Sequence, residues 1–200
     1  MPEGNAGVFI SFPHSPLMSD PNSPRVEIFL DGSNFYNGLR LQFGDGRYNV
    51  EKLVARILAG RPLTTLNFYT ATIDPGRDQK GAASQQRFLT MLRALSFPVR
   101  ICTSPLRYLP GWPSVPPQEK GIDALMVQDL ILGAVDRRFD VAVILTGDRD
   151  FMHVVQLLHG RFKIPLETYF PASRSHLFDH NRSCFARAEV ITKTFYDAIR

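Results

Sequence analysis

The stretch VAVILTGDRDF (141–151) decides the fold. Val141–Leu145 is an unbroken apolar run rich in β-branched residues, which reads as a strand buried on both faces. Such strands belong to parallel sheets covered by helices on both sides. The run ends at Thr146 and Gly147 and delivers Asp148 and Asp150 just beyond the strand. VEIFLDGSN (26–34) repeats the pattern: a short apolar strand over 26–30, then Asp31. A third segment, EKGIDALMVQDL (119–130), opens a helix with Asp123 and carries Asp129 one to two turns later.

Working outward, the spacing gives helices over 35–43 and 50–58, a strand over 66–73 and a turn at Asp74-Pro75-Gly76. A long helix over 79–95 and a strand over 99–103 follow. Residues 104–118 (SPLRYLPGWPSVPPQ) hold too many prolines for a helix or a sheet interior and form a loop. Its Arg107, Tyr108 and Trp112 are suited to a base or a phosphate, or Leu109 and Trp112 fold over the core. The helix over 121–135 is apolar on most of its circumference and reads as buried. A helix over 151–159 with Gly160 as its C-cap, a fifth strand over 164–169, a helical turn at 175–178 and a terminal helix over 185–199 complete the chain. This alternation predicts an α/β fold: a three-layer arrangement around a mainly parallel sheet of about five strands. Residues 1–24, with five prolines among serines, glycines and asparagines, read as a flexible arm before one domain over 25–200.

In an open parallel sheet the carboxyl ends of the strands share one edge, where ligands bind. Asp31, Asp123, Asp148 and Asp150 all start from that edge. Taken singly, each also reads as a helix cap or a turn former. Three sites on one edge reverse that balance. Acids gathered in a partly buried cleft cannot all stay ionised and unpaired. A divalent cation is the simplest partner, and a carboxylate-held cation points to phosphodiester chemistry. Asn34 can hold Asp31, bind a phosphate or, like Ser33, cap the following helix. Asp129 orients a ligand or pairs with an arginine or a backbone N–H. Lys120 pairs with an acid, neutralises a phosphate or is solvated, and Arg149 lies exposed between two acids. Arg107 and Arg174 can join them in guiding a polyanion.

The net charge of +4 leans weakly towards a polyanionic partner. No apolar stretch reaches the ~18–20 residues that span a bilayer. Residues 7–12 (GVFISF) are apolar but short, with no basic segment before them, so neither a membrane anchor nor a secretory signal is expected. Cys102 and Cys184 lack zinc-type spacing and fit a reducing, cytoplasmic setting. The five histidines are scattered, and no serine–histidine or cysteine–histidine pair competes with the acids.

DGSN at 31–34, KGID at 120–123 with Asp129 beyond it, and TGDRDF at 146–151 resemble the NYN domain, which includes the LabA-like proteins. This is a branch of the PIN-like ribonuclease superfamily. The likeness spans about residues 25–199. It implies a PIN-like (Rossmannoid) sheet, an acid cluster binding Mg²⁺ or Mn²⁺, and hydrolysis of RNA, here expected to be single-stranded. Asp31, Asp123, Asp148 and Asp150 match the family's acids. Asn34 matches its asparagine and Asp129 its second helical acid, with Ser33 and Thr146 in support. Arg149 stands where relatives often carry a small residue, and the proline-rich loop is particular to this chain. Two rivals remain: a non-catalytic RNA-binding or regulatory module, and a haloacid-dehalogenase-type phosphatase. The latter needs an acid two residues after its nucleophile, where this chain has Ser33. A homo-oligomer is left open.

Overall fold

The computed structural model describes residues 23–200. The reading of an N-terminal arm therefore lies almost wholly outside the described residues. From Val26 onward the chain forms strands β1 (Val26–Asp31), β2 (Leu63–Thr72), β3 (Val99–Pro105), β4 (Val141–Leu145), β5 (Leu166–Pro171) and β6 (Phe185–Ile191). The helices are α1 (Gly32–Phe43), α2 (Val50–Leu58), α3 (Gln79–Arg93), α4 (Ile122–Val135), α5 (Met152–Leu157), α6 (His176–Asn181) and α7 (Lys193–Ile199). The sheet order is β3-β2-β1-β4-β5-β6, and every pairing is parallel.

That order reverses direction between β1 and β4, the two most continuously apolar strands. A reversal of this kind leaves a crevice at the carboxyl ends of the central strands. Along β1, Ile28 and Leu30 face one core and Phe29 faces the other. The first core packs α1, α2, α3 and α7 on the sheet. The second packs α4 and α5, with Leu177 of α6. Two covered faces explain why β4 reads as a solid apolar run and β1 as an apolar run broken only by buried Glu27.

Four local readings are corrected. The segment expected as a terminal helix over 185–199 is a sixth strand followed by the shorter helix α7. In FARAEVI (185–191), alanine, arginine and glutamate favour a helix, but pairing with β5 from Leu166↔Phe185 to Pro171↔Ile191 overrides that preference. The helix α1 begins at Gly32, and its N-cap is Asp31, not Ser33 or Asn34: the Asp31 carboxylate accepts from the Asn34 N–H. Gly160 is not a C-cap. The chain continues through a wider π-type turn over Leu158–Phe162 and stops at left-handed Lys163 (φ 56°), which brings Phe162 onto the second core. Finally, α4 buries Ile122, Met126 and Leu130 but exposes Leu125, Leu132 and Val135, so only one of its faces is covered.

Among the described residues no helix is long and apolar enough to cross a membrane. Cys102 and Cys184 are free thiols.

Candidate active site

Asp31 ends β1 and is 6% exposed. Its two oxygens are both engaged. Oδ1 accepts from the Asn34 N–H at 3.0 Å, and Oδ2 accepts from the Thr146 hydroxyl at 2.9 Å. The Thr146 oxygen in turn accepts from the Asp148 N–H at 3.2 Å. Neighbouring strands β1 and β4 thus lock the last residue of one to the first loop residue of the other.

The loop after β4 is built from both sides. The Asn34 side-chain carbonyl accepts from the Gly147 N–H at 3.0 Å, and Gly147 O accepts from the Leu177 N–H at 3.2 Å. A Cβ at Gly147 would stand 2.2 Å from the Arg174 carbonyl oxygen, so only glycine fits there. Asp148 then caps the 3₁₀ turn Arg149–Phe151 by accepting from the Asp150 N–H at 3.0 Å. Asp123 arrives from α4. Gly121 holds the left-handed conformation (φ 82°) that starts the helix, and Asp123 lies in the first turn without capping it.

Charge ties these side chains together. Burial raises the Asp31 carboxyl from 3.8 to about 6, opposed by its two hydrogen bonds and reinforced by Asp123 and Glu119. Asp123 is likewise raised, by burial first and then by Asp148, Asp150 and Glu119. None of the ion pairs among the described residues involves these acids. The edge carries negative charge that no salt bridge among the described residues offsets. Glu119 is a member that the sequence reading passed over. It sits in a loop with no strand or helix period, and only its place beside Lys120 and Gly121 hinted at it.

Among the described residues no three carboxylate, histidine or cysteine side chains close on a common point as ligands of a metal ion. The acids are neighbours in charge rather than an assembled ligand shell. Their chemistry nevertheless suits a hard cation. The donors are carboxylate oxygens, the field lacks a basic partner, and Asp31 holds a proton more tightly than an ordinary aspartate.

Asp129 lies elsewhere on α4. Its Oδ2 accepts from the Tyr69 hydroxyl at 2.8 Å and pairs with Arg100. Tyr69 and Arg100 extend the network to Asn67 and, through it, to buried Glu27. Of the two readings offered for Asp129, the arginine partner is the one present. Lys120 and Arg149 are exposed, and the Lys120 carbonyl accepts from the Ser104 hydroxyl. Ser33 is half-buried at the start of α1. Arg107 is exposed at the neck of the proline-rich loop, where its backbone pairs antiparallel with Gln118. Inside that loop Tyr108 and Trp112 pack edge to face, 5.0 Å between centroids. Arg174 lies with its backbone against Gly147, and its Nε is buried without a partner.

A doubly covered parallel sheet with acids at its reversal point defines a PIN-like α/β protein. The NYN domain family model matches residues 25–184, and the chain belongs to the NYN domain family. The PIN-like nuclease superfamily to which that domain belongs uses divalent metals in general. In fold the chain is similar to a protein of unknown function from Vibrio parahaemolyticus RIMD 2210633, with a TM-score of 0.65 and 18% identity over 89% of this chain and 99% of that one. No curated protein matches the chain.

Proposed function

We propose that the chain is a metal-dependent ribonuclease that hydrolyses phosphodiester bonds of single-stranded RNA, acting in the cytoplasm. The observation that carries this reading is the mutual charge of Asp31, Asp123, Asp148 and Asp150 at the β1/β4 reversal, with no basic residue paired to them. Asp31, Asp123, Asp148 and Asp150 would hold Mg²⁺ or Mn²⁺. A cation there would polarise the phosphate and lower the pKa of an attacking water.

The chain's own residues set the stage. The Thr146 hydroxyl and the Asn34 N–H hold the Asp31 carboxylate at the base of the crevice. Asn34 and Leu177 hold the Gly147 peptide, which aims Asp148 and Asp150 from β4. Asp123 has no capping duty and is free to turn into the site. Arg149, Lys120, Arg107 and Arg174 supply positive charge around an edge that would otherwise repel RNA.

The test is cleavage of single-stranded RNA with Mn²⁺ or Mg²⁺, with and without chelator, by wild type, Asp31→Asn and Asp148→Asn. Metal-dependent cleavage by wild type and its loss in both variants are expected. Metal-independent RNA binding with no turnover by wild type would instead identify a regulatory RNA-binding module.

A further inference from the structure

We propose that a groove beside the acids is a nucleobase subsite, holding the base of an unpaired ribonucleotide whose phosphate lies at the acid edge. This rests on the RNA reading above.

The groove encloses about 700 Å³ between α1, β2 and α3. That lies in the range of small-molecule clefts, about 300–1,000 Å³. Its lining includes Gly32 and Ser33, the two residues that follow Asp31 in the chain. Phe68 and Thr70 also line it, and they flank Tyr69, which lies in register with Asp31. Strand alternation puts Phe68 and Thr70 on the sheet face opposite Tyr69 and Asp31, so the groove meets the acid edge through Gly32 and Ser33 at the start of α1.

The lining has the composition a base requires. Phe68 and Phe88 both line it and pack edge to face, with centroids 5.5 Å apart. A Cβ at Gly32 would lie 2.4 Å from the Phe68 ring, so glycine there is what lets the ring pack directly against the start of α1. Tyr36 also lines the groove and is 40% exposed. Its other side is backed by Gly46, where a Cβ would meet Cδ2 and Cε2 at 2.7 Å. A ring propped on one side and open on the other is a stacking platform. Gln85 is committed to Ala71 O and the Ile73 N–H, while Ser33, Asn37 and Ser84 are among the other polar residues of the lining. Hydroxyls and an amide can satisfy the edge of any base.

The groove is close to neutral. Among the described residues its lining holds no acid and one base, Arg47, which is paired with Asp45. An uncharged base fits such a lining. A base paired within a duplex is stacked on its neighbours and cannot enter, so the subsite selects single strands.

The experiment is anisotropy of a short fluorescent single-stranded RNA and of an abasic RNA of equal length, in Ca²⁺, alongside the cleavage assay. The base-bearing strand is expected to bind wild type more tightly than the abasic one. Tyr36→Ala, and Ser84→Trp filling the groove from exposed helix surface, are expected to remove that preference, weakening the base-bearing strand roughly tenfold or more and leaving the abasic strand unchanged. Tyr36→Phe keeps the ring and retains the preference. Equal binding of the two strands, or unaltered binding by both disrupting variants, overturns the subsite. If wild type then still cleaves RNA, the nuclease reading stands without it. If wild type does not cleave but the preference exists and is lost in the variants, the subsite stands and the nuclease reading falls.

Discussion

The side chain of Asn34 reaches across 113 residues of sequence to accept a hydrogen bond from the Gly147 N–H at 3.0 Å. The same residue gives its own N–H to Asp31. One asparagine therefore fixes both an acid on β1 and the loop that carries acids from β4. Asn34→Ala leaves a part-buried N–H without a partner, at a cost of about 1–3 kcal/mol. Urea unfolding of the two proteins measures it. Asn34→Asp keeps an acceptor oxygen and is expected to recover part of the loss at low pH, where the new carboxylate carries no charge.

Asp31 gives stability a pH dependence of definite sign. Its native pKa, about 6, lies above the ordinary 3.8 because burial disfavours the charged form. The native state then binds the proton more tightly, so the contribution is complete below about pH 4 and is lost as pH rises through 6. At about 1.4 kcal/mol per unit the loss reaches no more than about 3 kcal/mol. Asp31→Asn is expected to be more stable than wild type at pH 8, by about 1–3 kcal/mol, and to lose that advantage at pH 4. Denaturant midpoints at the two pH values decide it; a pH-independent difference would rule out Asp31 as the titrating group.

How much of this was legible in the sequence depends on whether the deciding forces are local. Apolar runs that end in an aspartate announced β1 and β4, because a strand buried on both faces leaves no polar alternation. FARAEVI at the opposite edge gave no such signal. As an edge strand, β6 exposes Ala186, Arg187, Ala188 and Val190, and only its pairing with β5 makes it a strand. The three roles open to Asn34 could not be separated, since its partner Gly147 is remote in the chain. Glu119 was nearly invisible for the same reason: beyond its place next to Lys120 and Gly121, what singles it out is its field at Asp31 and Asp123.

Divalent cations should act on stability as well as on turnover. An ion that binds only the native state adds about 2.7 kcal/mol at a hundredfold excess over its dissociation constant. Mn²⁺ at pH 8 is expected to raise the melting temperature of wild type by several degrees, and chelator to reverse the shift. Asp123→Asn and Asp148→Asn should lose it. Wild type should also lose it below about pH 5, where Asp31 is protonated. A shift that persists in both variants would place the ion elsewhere.

Gly147 is tested by adding one methyl group. In Gly147→Ala the new Cβ would meet the Arg174 carbonyl at 2.2 Å and its Cβ at 2.6 Å. Backbone must move to admit it, at a cost of about 1–3 kcal/mol. Because Asp148 follows directly, cleavage should fall by more than the folded fraction does. Circular dichroism and the RNA assay on the same sample separate the two effects.

Asp129 should behave differently from the edge acids. It pairs with Arg100 and accepts from the Tyr69 hydroxyl, and Tyr69 itself is held protonated by burial and by that carboxylate. Asp129→Asn keeps the shape and removes the charge. Arg100 is about half exposed, so water compensates part of the loss, and the cost is about 1–3 kcal/mol. Asp129→Ala also strands the Tyr69 hydroxyl and should cost more. The Mn²⁺-induced shift of melting temperature is expected to survive in Asp129→Asn, since its carboxylate faces Tyr69 rather than the crevice. Loss of that shift at full folding would instead make Asp129 part of the cation's surroundings.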